Sequence, residues 1–445
     1  MLLPGDRAPY FKVASSVNPN FNFDTIAGRY VVLSFFGSSR YPASARLLSE
    51  LADNAQEFDG ASAAFFGVSV DPDDVQRLEK PANGIVYFWD FELAVSAKYG
   101  VIVEEPPGGA GDAPHAPGPT SGAPAALTNA KYRPQSFVLD QSLRIVAIIP
   151  YTDDGIGHLR QIREVLSHFP PLQTLNGRAP VLVVPYVFEP ELCQRLIDYY
   201  KTRGGSDSGF MRDQDGKTVG VYDYAHKRRM DCEIFDDALI RATHERMQRR
   251  LVPAIRQAYQ FNVTRIERHI VACYDAAQGA HFRAHRDNTT LGTAHRRFAV
   301  TINLNSDEYE GGEIWFPEFG RHKYKAPSGS AIVFSCSLLH EVPKVTRGKR
   351  YAFLPFLYDD AAAAIRAQNH KYLSDLSTGG AAPTQVCDSA PRESDGAKSQ
   401  LTGEAGCGNP EGCGTCLSAA TYQLGVPGEP SPMTPESSVE STSDA

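Results

Sequence analysis

The chain is 445 residues long, which exceeds one ordinary domain, so we expect two hydrophobic cores and additional flexible segments. Its formal net charge of −8 disfavours a nucleic-acid partner, because the phosphate backbone attracts basic surfaces. No apolar run in the sequence approaches the roughly 18 residues that a membrane-spanning helix needs, so we expect no membrane partner.

Strand and helix patterns alternate over residues 1–172. Apolar, β-prone runs predict buried strands at 30–37, 63–71 and 85–90 and a hairpin over 136–151. Amphipathic spacing predicts helices at 45–58 and 158–169. This alternation is typical of an α/β sandwich. A stretch rich in Pro, Gly and Ala at 104–130 interrupts the pattern, and we expect it to form a mobile loop.

A second unit is predicted over residues 173–377. An apolar run at 179–188 precedes a helix that Pro190 opens, and a second helical stretch covers 237–260. Beyond it the apolar period changes to two, as in FAVTINLN at 298–305, which predicts short strands. Helices followed by closely spaced strands favour a small barrel or jelly roll braced by helices.

The last segment, residues 378–445, is rich in Ser, Gly, Pro, Glu and Thr and has few large apolar residues. Such a composition does not bury enough surface to offset the entropy of ordering, so we expect a disordered tail. The tail contains CGNPEGCGTC, with Cys407, Cys413 and Cys416. A Cys-x-x-Cys pair can begin a zinc site, but no fourth ligand is obvious, and metal binding there stays open.

The eight cysteines are scattered, and none of them occurs in the first 192 residues. Scattered thiols are typical of a reducing compartment rather than of a disulfide framework. The opening stretch MLLPGDRAPYF lacks a basic start followed by an apolar core. We therefore expect no signal peptide and a cytoplasmic location.

A candidate metal site begins in YDAAQGAHFRAHRDN, where His285 and Asp287 stand two positions apart. On an extended strand both side chains project to the same side, so both can reach one ion. His340, 53 residues after Asp287, is expected from another strand across the barrel. Two histidines and one carboxylate can occupy one face of a six-coordinate iron and leave positions open. Zinc is the competing metal, although structural zinc sites are usually closed by Cys and His at short spacings.

Three stretches then resemble, in order, the iron(II)- and 2-oxoglutarate-dependent dioxygenases of the prolyl-hydroxylase-like branch. They are CYDAAQGAHFRAHRDN, RRFAVTINLNSDEYEGGEIWFPEFG and HEVPKVTRGKRYAF. The resemblance covers about residues 179–360 and implies a double-stranded β-helix, that is, a jelly roll. It also implies that His285, Asp287 and His340 form the catalytic site by binding Fe(II), with 2-oxoglutarate as cosubstrate and O₂ as oxidant. It admits ascorbate as an additional cofactor.

The same resemblance assigns the cosubstrate pocket. Arg350 follows His340 by ten residues and would pair with the distal carboxylate of 2-oxoglutarate, whose planar form suits a bidentate guanidinium. The neighbouring Lys349 has the opposite strand parity. Tyr274 matches a family tyrosine whose hydroxyl contacts the cosubstrate, although a core aromatic would explain it too. Asn303 stands where some relatives carry a tyrosine and is a further candidate for this pocket.

The first unit resembles the peroxiredoxin branch of the thioredoxin fold, through LLPGDRAPYF and VVLSFFGSSRYPASARLL. That family places Pro, Thr and a catalytic Cys in its active-site loop, and here Gly37, Tyr41 and Ser44 stand at those positions. Peroxide reduction needs a thiolate, which a serine hydroxyl does not replace. We therefore expect a catalytically silent domain that acts as a protein-binding adaptor.

The leading functional hypothesis is hydroxylation of a C–H bond in a peptidyl proline or another protein side chain, with release of succinate and CO₂. One alternative keeps the chemistry on a free small molecule. Another makes the chain a non-enzymatic redox or binding scaffold, which the presence of all three ligands and Arg350 disfavours. Halogenation is disfavoured because Asp287 occupies the position that a halide would need. The substrate and the oligomeric state are left open.

Overall fold

The computed structural model describes residues 1–78, 84–104, 130–175, 177–373 and 421–423. Within the described part of the first unit there are nine strands: β1 (Lys12–Ser15), β2 (Phe21–Asn22), β3 (Tyr30–Gly37), β4 (Ala63–Ser69), β5 (Ile85–Trp89), β6 (Ile102–Glu104), β7 (Ala130–Tyr132), β8 (Gln135–Leu139) and β9 (Ile145–Pro150). Its helices are α1 (Pro42–Asp53), α2 (Asp74–Arg77), α3 (Ala94–Lys98) and α4 (His158–Ser167). The predicted α/β sandwich is therefore confirmed.

Seven of these strands form one mixed sheet in the order β2-β1-β5-β4-β3-β8-β9, in which β3, β4 and β5 run parallel. The interior strand β3, between β4 and β8, is buried along its whole length, because the sheet is covered on both faces. Val31, Leu33 and Phe35 enter one core, whereas Val32 and Phe36 enter the other, with α1 and α4 packed over them.

The stretch predicted as a loop at 104–130 is closed by a short stem in which β6 pairs with β7. Residues 105–129 lie outside the described part of the chain. The predicted helix at 45–58 begins earlier, at Pro42, because proline fits the first helical position, where no intrahelical N–H bond is needed.

The second unit contains α5 (Pro190–Arg203), α6 (Asp237–Arg246), α7 (Val252–Tyr259) and α8 (Asp360–Asn369). Its strands before the metal-site sequence are β10 (Leu182–Val184), β11 (Ser206–Asp207), β12 (Phe210–Gln214), β13 (Lys217–Val221), β14 (Lys227–Arg228), β15 (Met230–Glu233), β16 (Arg265–Glu267) and β17 (Ile270–Asp275). The later strands are β18 (His281–His285), β19 (Phe298–Asn303), β20 (Glu310–Gly311), β21 (Ile314–Trp315), β22 (Lys323–Tyr324), β23 (Ala331–Ser335), β24 (His340–Val342), β25 (Val345–Arg347), β26 (Lys349–Phe353), β27 (Phe356–Tyr358) and β28 (Thr421–Gln423).

Two sheets of this unit face each other and confirm the predicted jelly roll. The larger sheet runs β11-β15-β17-β26-β19-β27-β16-β28, with β23 joining β19 to β10. The smaller sheet runs β14-β18-β24-β21-β22. Strand alternation separates the two faces of the larger sheet: Val271 and Cys273 pack in the core shared with α5, α6 and α7, whereas Ala272 and Tyr274 pack with residues of the smaller sheet.

The helical stretch predicted at 237–260 is interrupted by one π-helical turn, Met247–Leu251, between α6 and α7. Pro253 stands in the first turn of α7. A proline has no N–H for the ladder, so it fits at a new helix start better than in a continuous helix.

Within the segment predicted as a disordered tail, β28 pairs with β16. The rest of residues 374–445, including Cys407, Cys413 and Cys416, lies outside the described residues. No helix in the described ranges combines the length and apolar character needed to cross a membrane.

The core beneath α4 provides a stability test. Ile162 is fully buried against the first sheet, so Ile162→Ala should lower the free energy of unfolding by about 2–5 kcal/mol. The adjacent Gln161 is exposed, and Gln161→Ala should change it by no more than about 0.5 kcal/mol. Urea unfolding monitored by circular dichroism measures both values. Equal stability of the two variants would contradict the described packing.

Candidate metal centre

The metal-site residues lie where two neighbouring strands of the smaller sheet meet. His285 ends β18, His340 begins β24, and the two residues stand opposite each other in the antiparallel register. The expectation that His340 comes from across the barrel is therefore wrong, because β24 is the direct neighbour of β18. Asp287 follows the end of β18 and is held by its backbone N–H, which donates to the Cys336 carbonyl at 2.9 Å.

The three side chains offer ligand atoms that all lie within 4.8 Å of one another. Nε2 of His285 is 3.6 Å from one Asp287 carboxylate oxygen, and Nε2 of His340 is 3.4 Å from the other. Among the described residues, no further His, Cys, Asp or Glu joins this group. The sequence prediction that these three residues converge therefore agrees with the geometry.

Both imidazoles are oriented by their second nitrogen. Nδ1 of His285 lies 2.7 Å from the Arg283 carbonyl, and Nδ1 of His340 lies 3.0 Å from the Leu338 carbonyl. Because a carbonyl only accepts, each Nδ1 carries the proton and donates, which leaves the Nε2 lone pair for a metal. Burial, and then the neighbouring His340, hold the pKa of His285 well below its usual value, so this imidazole is neutral.

Aromatic rings restrict the two imidazoles further. Phe282 stacks on His285 with 3.5 Å between ring centroids, and Phe334 meets His340 edge-on at 4.7 Å. Nearby Cys336 is fully buried, and burial followed by the Asp287 charge raises the pKa of its thiol well above the usual value. No cysteine sulfur joins the three candidate ligands among the described residues, so the site is not a closed zinc–thiolate centre.

Arg350 is buried on the inner face of the larger sheet, opposite Tyr274 in the β17–β26 register. Its guanidinium donates to the Gly312 carbonyl and to the Thr301 hydroxyl, both at 3.0 Å. All of its protein acceptors are neutral, and the ion pairs found in the described ranges do not include Arg350. A buried cation without a counter-charge is costly, so this position suits an anionic ligand.

The other two predicted pocket residues hold different positions. Tyr274 is buried beneath Arg350, with the guanidinium 5.2 Å from its ring centroid, and its hydroxyl accepts from Arg229 at 3.4 Å. Asn303 accepts two long bonds from Arg350 at 3.4 Å and donates to the Ala326 carbonyl at 2.9 Å. Asn303 therefore supports Arg350 from behind, and it does not line the cavity described next.

One cavity of about 1040 Å³ connects these groups. It is lined by all three candidate metal ligands, by Tyr274 and by Arg350. The arrangement thus brings a metal donor set and a guanidinium with only neutral acceptors to the same cavity, as a metal-bound dicarboxylate would require.

The sequence did not indicate several groups in or near this cavity. The Thr301 hydroxyl accepts a hydrogen bond from Arg350. The Tyr309 hydroxyl lies near the same guanidinium: burial raises the pKa of this phenol, and the positive charge of Arg350 opposes the rise. Thr301 shares the parity of Asn303 on β19, so strand alternation was the signal that could have found it. Lys227 is buried, with its Nζ 4.8 Å from the centroid of the Phe282 ring. No sequence pattern predicted a buried lysine here.

In the first domain, the residues that replace the peroxiredoxin-type loop are packed closely. Ser44 is buried, and its hydroxyl donates to the Phe36 carbonyl at 2.7 Å. Gly37 has φ +78°, and a Cβ there would stand 3.1 Å from the Tyr132 ring and 3.4 Å from Tyr41. Aromatic side chains therefore fill the space beside Gly37.

Two separate parts of the chain are similar to known protein families. Residues 4–148 match the AhpC/TSA family, and residues 269–358 match the 2OG-Fe(II) oxygenase superfamily. A PKHD-type hydroxylase of a Synechococcus species is 31% identical over 116 residues, covering 24% of this chain and 49% of the relative. One from Cupriavidus metallidurans is 37% identical over 83 residues, covering 17% and 36%. The chain thus spans about half the length of the curated relatives that it matches, or less.

Two solved structures are similar to separate parts of the chain. Peroxidoxin BcpB from Mycobacterium tuberculosis is 18% identical, with a TM-score of 0.28 over 38% of this chain and 99% of that protein. A Pseudomonas putida prolyl-4-hydroxylase is 18% identical, with a TM-score of 0.33 over 40% and 92%. The family matches confirm both resemblances seen in the sequence: one part of the chain is similar to the AhpC/TSA family and another part to the 2OG-Fe(II) oxygenase superfamily.

Proposed function

We propose that this protein is an iron(II)- and 2-oxoglutarate-dependent hydroxylase that oxidises a C–H bond of a peptidyl side chain, with proline as the leading candidate. The observation that carries the proposal is one cavity that joins a two-histidine, one-carboxylate donor set to a buried arginine with only neutral protein acceptors. The PKHD-type hydroxylase relatives support the same reaction class.

The donor set fits iron(II), because two imidazoles and one carboxylate can bind one face of the ion and leave positions for other ligands. When bound, iron, 2-oxoglutarate and O₂ supply the oxidising chemistry: one oxygen atom enters the substrate C–H bond as a hydroxyl, and the other enters succinate as CO₂ leaves. The protein's own task is to bind these reactants and to orient them.

Arg350 is the proposed partner of the distal 2-oxoglutarate carboxylate. Thr301 and the Gly312 carbonyl fix the guanidinium at 3.0 Å each, so its forked donors are oriented before the anion arrives. Tyr274 lies beneath the same guanidinium and offers its hydroxyl to the cosubstrate. Both assignments rest on the family resemblance and on these contacts.

The size of the cavity favours a peptidyl over a free small-molecule substrate. At about 1040 Å³ it slightly exceeds the roughly 300–1,000 Å³ that is typical of small-ligand sites. Its lining extends to the strands β12 and β13 and to the exposed Tyr222. A macromolecular side chain can therefore enter while its backbone stays outside.

Succinate release tests the proposal. The purified chain with iron(II) and 2-oxoglutarate should form succinate faster with a subset of proline-containing peptides than with free amino acids. The favoured peptide should gain one oxygen atom by mass spectrometry. Parallel reactions with and without ascorbate test that additional cofactor. Absence of succinate with every substrate, under conditions in which iron binds, would overturn the hydroxylase assignment.

The first prediction concerns the ligands. Alanine at His285, Asp287 or His340 should abolish turnover. Each substitution should also lower the metal affinity by more than the roughly 10- to 100-fold that is typical when a group hydrogen-bonded to a ligand is lost. His322, an exposed histidine of the same domain, provides the control variant His322→Ala. Metal titration and succinate formation measure the two effects. Unchanged turnover in any of the three ligand variants would remove the site.

The second prediction concerns the cosubstrate. Arg350→Ala should raise the 2-oxoglutarate requirement, because a charge-assisted pair contributes about 1.5–3 kcal/mol, or roughly ten- to a hundredfold in affinity. Arg350→Lys should be milder but still impaired, since it lacks the forked donors. Lys349→Ala is the matched control, as Lys349 is exposed and pairs with Asp275 instead. Equal 2-oxoglutarate affinity in Arg350→Ala and wild type would place the pocket elsewhere.

The third prediction concerns the first domain, which we propose does not reduce peroxide. Ser44→Cys should remain inactive as a thiol peroxidase, because Tyr132 and Tyr41 fill the space beside Gly37 and the loop lacks the family's Pro and Thr. Ser167→Cys, at an exposed position, controls for nonspecific thiol chemistry. Peroxide consumption by Ser44→Cys above the rate of Ser167→Cys would refute this expectation.

A further inference from the structure

Arg286 stands between two of the candidate metal ligands, His285 and Asp287, and connects them to the first domain. Its buried side chain donates from Nε to Asp24 at 3.1 Å and from one terminal nitrogen to the Tyr10 hydroxyl at 3.2 Å. The guanidinium also lies over the Tyr10 ring, 5.2 Å from its centroid. Both partners belong to the first domain, so the strand that ends in a ligand is tied across the domain boundary.

Glu318 completes the link from the oxygenase side. Its buried carboxylate accepts from both terminal nitrogens of Arg286, at 3.0 and 3.1 Å, and from Arg7 of the first domain at 2.8 Å. It also accepts from the backbone N–H of Leu339 at 3.2 Å, and Leu339 immediately precedes His340. One carboxylate therefore contacts both segments that carry ligands.

Apolar packing follows the same route. Leu339 is fully buried within the hydrophobic core of the first domain, and Ala284 packs against that core. Each of these residues is the chain neighbour of a ligand histidine. The backbones also approach closely, because a Cβ at Gly28 would stand 2.6 Å from Cβ of Pro317. The domains thus share a packed, partly ionic boundary beside the metal centre.

The first domain also contributes to the wall of the cavity. Lys12, Asn22, Asp24 and Thr25 line it together with the three candidate ligands. Asp24 therefore takes part in both features: it borders the cavity and pairs with Arg286. This dual position makes Asp24 the residue through which a change in the first domain would be transmitted most directly to the ligands.

We propose that the first domain helps to position the metal ligands, rather than acting as a separate adaptor. Arg286 and Glu318 act as positioning residues: they transmit the packing of the first domain to the backbone that orients His285, Asp287 and His340. Supporting groups of this kind commonly change metal affinity by about 10- to 100-fold. The inference depends on the metal site but not on hydroxylation.

Metal binding by the full chain tests this role without any substrate. Mn²⁺ alone serves as the probe, and its affinity is measured by calorimetric titration of wild type and variants. Asp24→Asn and Glu318→Gln should each weaken Mn²⁺ binding by roughly tenfold or more. Arg286→Lys, which keeps the charge, should bind Mn²⁺ better than Arg286→Met. Asp53→Asn, at an exposed acid of the first domain, is the matched control and should bind like wild type.

A second measurement on the wild type does not depend on the folding of any variant. Hydrogen exchange with and without Mn²⁺ should show slower exchange in the first-domain segments around Tyr10 and 22–28, whereas α4 should be unaffected. A merely structural boundary predicts a lower melting temperature in Asp24→Asn but unchanged Mn²⁺ affinity and no first-domain protection. That combination would overturn the inference and leave the proposed function intact. A wild type that binds no Mn²⁺ would overturn both.

Discussion

The antiparallel pairing of β18 with β24 is the constraint on which the metal centre depends. Directly paired residues bring their Cβ atoms to about 4.5–5.5 Å. His285 and His340 are such a pair, and a shift of register between Phe282 and His285 sets them opposite each other. A one-residue slip would send one imidazole to the opposite face of the sheet. Asp287 needs no strand of its own, since its hydrogen bond to the Cys336 carbonyl holds it just beyond β18. Both histidines thus rest on strands rather than on loops.

The two facing sheets divide the chemical tasks. The smaller sheet supplies the metal donors, whereas the inner face of the larger sheet supplies Arg350, Tyr274 and Thr301 from three adjacent strands. A ligand with one end on the metal and a carboxylate at the other end would bridge the sheets. The outer face of the larger sheet packs on helices, so the polar inner face can be buried without loss of a continuous hydrophobic core.

Sequence periodicity was sufficient where a residue's role follows from its own strand. Parity distinguished buried Arg350 from exposed Lys349. The expectation that His285 and Asp287 share an extended strand is wrong, because β18 ends at His285 and Asp287 lies in the turn that follows. Sequence periodicity was insufficient to predict contacts between segments that are distant in the chain. The adjacency of β18 and β24 is a choice of strand order, and Arg286 meets Asp24 across 262 residues of chain. Neither leaves a local pattern, because the contacts are made only after both domains have folded.

The approach of Gly28 to Pro317 also bears on how such a protein can evolve. Gly28 has φ +91°, and no side chain fits between its backbone and the proline. Recombination could replace this domain with a different thioredoxin-fold domain. The new domain would then need a glycine at the position of Gly28 and an acidic residue opposite Arg286. The two halves are therefore expected to be inherited as one unit, and substitutions on either side of the boundary should arise in compensating pairs.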